Sequence, residues 1–260
     1  MAKRLILVGV LGILRGTLHA ASPTNLVYID TSFENASPLW YEPAPDGAIL
    51  VHLLYDHERN SPNRAAGHIH FRLEATPGTR LTLEFKNLDN VWNGRPGSVA
   101  KELKTIVISA NGRDWTPVPT DALLENRVQI TVKMPGPQLF VARLEPYTTA
   151  DLDRLLDAIK TNPLVQITPI GRTIEGRSLE IIRVGNSQAP YRVFLRARAH
   201  PWESGGNWVV EGLIRRLFAA DAHASECLER YCVSILTMSN TDGVVRSMTR
   251  VNLRGKDVTR

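Results

Sequence analysis

Near Pro146 the periodicity of this chain changes, and that change limits the folds open to it more than any other feature. From about Asn25 to Tyr147 apolar residues recur at every second position, as in Leu81-Thr82-Leu83-Glu84-Phe85 and Val128-Gln129-Ile130-Thr131-Val132. Period two is the signature of a strand with one face buried. His68-Ile69-His70-Phe71-Arg72-Leu73 continues the pattern, and Ile106-Val107-Ile108 runs into Asn111-Gly112, a dipeptide suited to a tight turn, just before Trp115. Short strands punctuated by turn signals predict an antiparallel β-sandwich over residues 25–146. His68 and His70, on one strand, read as structure in such a domain and not as a metal pair, and Trp92-Asn93-Gly94-Arg95 reads as a loop.

After Tyr147 the period lengthens. Thr148 and Asp151 have capping-box spacing, and Leu152, Leu155, Leu156 and Ile159 follow at i, i+3, i+4 and i+7, which predicts an amphipathic helix. Strands are expected at 165–170 and 179–184, joined through Gly171 and Gly176, then at 191–199 and 232–238, with a helix at 207–219 between the last two. Strand, helix, strand in that order is the start of an α/β sheet with crossover helices. The chain is therefore expected to be an α+β two-domain protein, with an incomplete α/β domain of mixed sheet over 147–260.

Charge excludes one class of partner. The net charge of +5 would suit a nucleic-acid binder, but residues 1–15 hold three basic and no acidic side chains. The last fifteen hold five basic and one acidic, which leaves the body of the chain at −2. A slightly acidic body offers no face for neutralising phosphates. The basic start belongs to a different pattern: Lys3 and Arg4, then the apolar run Leu5 to Leu14, then Ala20-Ala21-Ser22. That order predicts a signal peptide over 1–21 and an exported, periplasmic or secreted, protein. Ten apolar residues are too few to cross a bilayer as a helix, so no stable membrane span is expected. Cys227 and Cys232 are open to two readings, a local disulfide or two buried thiols.

His200 stands where the strand Phe194 to Ala199 would end, and Pro201 stops that strand so that Trp202-Glu203-Ser204-Gly205-Gly206 turns into the next helix. Ligands of open α/β sheets gather at such strand ends. An imidazole and a carboxylate leaving one tight turn can both reach a Zn²⁺ ion. They can equally be a surface histidine beside a carboxylate favoured by a helix N-terminus, and the spacing alone does not separate the two.

Four blocks in order bear on that choice: Gly171-Arg172-Thr173-Ile174-Glu175-Gly176-Arg177, Arg198-Ala199-His200-Pro201-Trp202-Glu203, Asn240-Thr241-Asp242-Gly243-Val244, and Arg250 to Arg260. In these the sequence resembles the zinc metallocarboxypeptidase family (carboxypeptidase A-like), especially its cytosolic-carboxypeptidase-like branch, which also carries a β-sandwich before the catalytic domain. The resemblance implies that His200 and Glu203 are zinc ligands, that Arg250 polarises the scissile carbonyl, and that Arg260 grips the substrate's terminal carboxylate. Thr259 stands where the family has an asparagine that helps hold that carboxylate. The family's third zinc ligand, a histidine, and its catalytic glutamate would fall downstream of residue 260, and His223 fits neither role. The chain thus looks like the front part of a carboxypeptidase, truncated or inactive by itself, whose partners are peptide or protein C-termini. Two rivals stand beside this reading: a related zinc amidohydrolase or deacylase, and a non-catalytic β-sandwich binding module with a degenerate peptidase remnant.

Overall fold

The computed structural model describes residues 26–219 and 221–259. The expected signal segment 1–21 and Arg260 lie outside the described residues. The N-terminal half is built from strands β1 (Leu26–Asp30), β2 (Leu39–Pro43), β3 (Ile49–Leu53), β4 (Asp56–His57), β5 (Arg64–Ala65), β6 (His70–Ala75) and β7 (Arg80–Lys86). It continues with β8 (Asp89–Trp92), β9 (Arg95–Ser98), β10 (Thr105–Ser109), β11 (Thr116–Pro119), β12 (Asp121–Leu123), β13 (Arg127–Lys133) and β14 (Gln138–Ala142).

Two five-stranded sheets, β1-β6-β14-β10-β11 and β12-β13-β7-β3-β2, share one hydrophobic cluster. The alternation in the sequence is what fills it: Leu81, Leu83 and Phe85 of β7 and Val128, Ile130 and Val132 of β13 all point inward, with polar residues between them facing out. Facing them are Phe71 and Leu73 of β6 and Leu139 and Val141 of β14. The half is not wholly antiparallel, because β3 runs parallel to β7. Nor was its third sheet expected: β4-β5-β8-β9 is a small four-stranded sheet whose strands are two to four residues long. Asn93 and Gly94, read as loop, are the turn of its β8-β9 hairpin, with φ of 51° and 70°. Successive positive φ values are what a two-residue hairpin turn demands.

His68 precedes β6 instead of lying in it. Its Nε2 donates to the Asn35 carbonyl at 2.9 Å, and the His70 Nδ1 donates to the same oxygen at 3.0 Å. Burial holds both rings neutral, pushing His68 down to about 3 and His70 to about 4. The unfolded chain binds these protons near pH 6.5 and the folded one does not, so stability is complete above that pH and is lost as pH falls from 6.5 towards 4. Each ring should contribute a slope of about 1.4 kcal/mol per pH unit. Urea unfolding in chelator at about pH 7 and about pH 5 checks this; no change in midpoint across that interval contradicts it.

The C-terminal half opens with α1 (Thr149–Ile159), whose first turn is closed by Asp151: its Oδ2 accepts the Thr148 N–H at 2.6 Å and the Thr148 hydroxyl at 2.7 Å. Strands β15 (Val165–Arg172), β16 (Ser178–Val184), β17 (Tyr191–Arg196) and β18 (Tyr231–Leu236) form a mixed sheet in the order β15-β16-β18-β17, with only the β17-β18 pair parallel. Helices α2 (Gly205–Leu217) and α3 (Ala222–Arg230) connect β17 to β18. Leu155, Ile182, Val210, Ile214, Leu228 and Ile235 belong to the core between helices and sheet. Strand β17 stops three residues earlier than expected, because Arg198 takes φ +56° and breaks the extended run. Residues read as a turn form a short helix, α4 (Thr241–Val245), all but its last residue buried to within a few per cent. Cys227 and Cys232 are not bonded to each other. No helix among the described residues is long and apolar enough to cross a membrane.

Candidate metal centre

The positive φ at Arg198 turns the chain out of β17, and the turn is then locked. Arg198 Nε donates to the Pro201 carbonyl at 2.6 Å and its Nη1 to Asn207 Oδ1 at 3.1 Å, while Asn207 Nδ2 reaches the Thr237 carbonyl. The guanidinium is buried, and that burial pulls its pKa down to about 10, opposed by the charges of Glu203 and Asp151. Within this turn the His200 Nδ1 and the Glu203 Oε1 face each other at 2.9 Å.

The other nitrogen of His200 finds a partner the sequence did not suggest. Nε2 lies 3.2 Å from Oδ1 of Asp257, whose side chain is fully buried. Two carboxylates therefore face one imidazole, and a neutral ring carries only one N–H. With Nε2–H donated to Asp257, either a proton or a metal ion on Nδ1 would make the contact with the Glu203 carboxylate favourable. A nitrogen and an oxygen donor with the far nitrogen fixed by a carboxylate is the arrangement that protein zinc sites use. The donor chemistry fits the metal. Among the described residues, however, no three His, Cys, Asp or Glu side chains are grouped to hold a metal by themselves. His223 is exposed on α3.

Glu203 is held below the usual carboxylate range first by its bond to His200, with burial opposing and the Trp202 side chain and Arg250 charge assisting. For Asp257 burial is the largest influence and raises the pKa, but the Thr259 hydroxyl and N–H, with the charges of His200 and Arg250, carry the net shift downward. Thr259 donates its hydroxyl proton to Asp257 Oδ1 at 2.6 Å and its N–H to the same atom at 2.9 Å. That hydroxyl proton is committed, so in this arrangement Thr259 steadies Asp257 and offers no donor to a substrate carboxylate. Replacing Asp257 by Asn keeps the shape and removes the charge behind His200. Asp257→Asn is expected to weaken zinc binding about 10–100-fold, measured by competition with a chromogenic chelator; an unchanged affinity contradicts the role of Asp257.

Arg250 joins this group, its Nε 3.5 Å from Asp257 Oδ2 and its guanidinium carbon 4.3 Å from the centre of the Trp92 ring. Of the residues singled out from sequence, His200, Glu203, Arg250 and Thr259 thus come together, and Arg260 lies outside the described residues. Asp257 had a readable signal, since it lies within the last matched block, but nothing local marks it as a partner of His200.

Residues 152–260 match the family model of zinc carboxypeptidases. Cytosolic carboxypeptidase 2 of Macaca fascicularis is 30% identical over 143 residues, which are 50% of this chain and 17% of that protein. A metallo-carboxypeptidase of Burkholderia cenocepacia superposes with a TM-score of 0.76 at 26% identity, covering 90% of this chain and 61% of that one. The fold is also shared with the metallo-carboxypeptidase of Pseudomonas aeruginosa solved with (2-guanidinoethylmercapto)succinic acid, with a TM-score of 0.77 at 23% identity and coverage of 88% and 60%. Coverage this wide takes in both halves of the chain. The chain itself spans less than a fifth of the curated relative and about three fifths of the solved enzymes.

Proposed function

Because residues 152–260 match the family model of zinc carboxypeptidases, we propose that this protein takes part in zinc-dependent removal of C-terminal residues from peptides or proteins. The observation that carries the proposal is the cluster at the end of β17: His200 and Glu203 converging at 2.9 Å, Asp257 behind His200, and Arg250 beside them. His200 Nδ1 and Glu203 would hold the ion, with Asp257 keeping the ring proton on Nε2 and the ring in orientation. Zinc bound there would supply Lewis-acid polarisation of a carbonyl and a water acidic enough to ionise near neutral pH. Arg250 contributes a fixed cation where negative charge develops on the scissile carbonyl oxygen. A substrate ending in a carboxylate is met by Arg260, whose guanidinium fork suits that group. The two five-stranded sheets of residues 25–146 are read as a β-sandwich domain placed before a catalytic domain that begins at 147.

The test uses the full product of the reading frame loaded with one equivalent of zinc, and a peptide library sampled by mass spectrometry. Loss of single C-terminal residues, blocked when the same peptides are amidated, is expected, with inhibition by (2-guanidinoethylmercapto)succinic acid. Deacylation of N-acyl amino acids without peptide trimming would move the assignment to an amidohydrolase. Absence of both with zinc bound would leave a binding module. We propose export on the pattern of residues 1–21 alone, and cell fractionation with N-terminal sequencing of the mature protein decides it: an intact Met1 in the cytosol overturns it.

A further inference from the structure

Arg250 belongs to the C-terminal half, yet the groups that hold it come from the N-terminal one. Asp56 of β4 is buried, and its Oδ2 accepts the backbone N–H of Arg250 at 2.7 Å and that of Val251 at 2.9 Å, across 194 residues of sequence. Trp92, the last residue of β8, places its ring 4.3 Å from the Arg250 guanidinium carbon. Strands β4 and β8 are both hydrogen-bonded to β5, so backbone anchor and ring sit on one small sheet. A third contact, from the Arg59 N–H to the Gly255 carbonyl at 2.7 Å, binds the next turn of the segment. Gly255 has φ +67° and a Cβ there would lie 3.0 Å from that of Arg59, so backbone meets backbone with no room for a side chain. Trp92, Trp202, Glu203 and Arg250 line a single cavity of about 280 Å³. The guanidinium is thereby presented to the same space as the proposed zinc ligand.

We propose that Asp56 and Trp92 are positioning residues for Arg250, and that the small sheet carrying them exists in this fold to aim that guanidinium. An unrestrained arginine has a long side chain with much rotamer freedom to lose, and a cation helps a transition state most when it is already in place. Asp56 fixes where the side chain starts, and the Trp92 face fixes where it ends, by cation–π attraction. Asp56 holds the backbone of Arg250 and Trp92 meets its guanidinium, so their loss should be felt in the use of the metal and not in its retention. The proposal takes the role of Arg250 from the carboxypeptidase reading but takes its geometry from the contacts alone.

The experiment has two arms on the zinc-loaded full product. In the first, Asp56→Ala and Trp92→Ala should each lower kcat about 10–100-fold, the range expected when a charge-stabilising group is displaced by an ångström or so. KM and zinc content should stay within about twofold, and the conservative Asp56→Asn and Trp92→Phe should recover most of kcat. In the second, the Nε–H resonance of Arg250, assigned by its absence in Arg250→Lys, should carry a ring-current shift that collapses in Trp92→Ala and also in Asp56→Ala. Unchanged kcat in an active protein overturns the proposal, as does a fall in zinc content that parallels kcat. A shift that survives Asp56→Ala overturns it whether or not the protein is active. If the unaltered protein hydrolyses nothing, the carboxypeptidase reading fails separately and the resonance alone decides the positioning.

Discussion

His200→Ala should cost the protein its zinc. The substitution removes one of the two donors that converge in the turn after β17 and takes the imidazole away from Glu203. Changing a residue that merely orients a ligand costs about 10–100-fold in metal affinity, so deleting the ligand itself should cost more than about 100-fold. Dialysis against a metal buffer with zinc measured by atomic emission should show the variant empty where the unaltered protein is loaded, and the proposed peptide trimming should vanish with the metal. A second effect accompanies the first. Asp257 is fully buried, and without the imidazole its charge loses a close partner, while Arg250 Nε at 3.5 Å and the Thr259 donors stay beside it. Stranding a buried carboxylate destabilises a protein even when no metal is involved. His200→Gln, which can still donate to Asp257, should lose the zinc while losing less stability. Full zinc stoichiometry in His200→Ala would remove the basis of the site.

Gly243→Ala should destabilise the protein by about 3 kcal/mol, while the same change at Gly212 should stabilise it by up to about 1 kcal/mol. The opposite signs come from the surroundings. A Cβ on Gly243 would lie 2.6 Å from the Pro201 ring and 2.6 Å from Asn240 Oδ1, and neither neighbour can give way cheaply. Pro201 separates His200 from Glu203. Asn240 accepts the Gly243 N–H at 3.2 Å and donates to the carbonyls of Ala199 and Val251. Displacing these two side chains therefore moves both ends of the candidate site, and zinc affinity should fall along with stability. Gly212 is exposed on α2 with nothing within 4 Å of its missing Cβ, so alanine there gains helix propensity without a clash. Chemical denaturation of the two variants measures both signs; equal midpoints would contradict the packing argument.

The strands that bury one face were legible in advance. Period two in 81–85 and 128–132 corresponds to β7 and β13 with their inward residues as expected, and the capping pair Thr148 and Asp151 starts α1 at the expected place. Alternation is a local record of burial, and a cap is a local hydrogen bond, so both survive in a short window of sequence. Where long-range packing overrides local preference, the reading was incomplete. Asp242-Gly243 reads as a turn, yet α4 forms there because Asn240 caps it and the surrounding core excludes water. The pairs of β4 and β5, two residues each, are too short to leave a period at all.

The same division runs through the candidate site. Spacing within 198–203 left His200 and Glu203 open between a zinc pair and a surface histidine, and it was the resemblance carried by the ordered blocks that named these two and Arg250 as candidates. Only the folded chain brings Asp257 behind His200 from 57 positions away and Asp56 under Arg250 from 194. Side chains at such separations meet because two halves with different periodicities dock. That docking depends on the shape of their assembled surfaces, which no short stretch of sequence encodes.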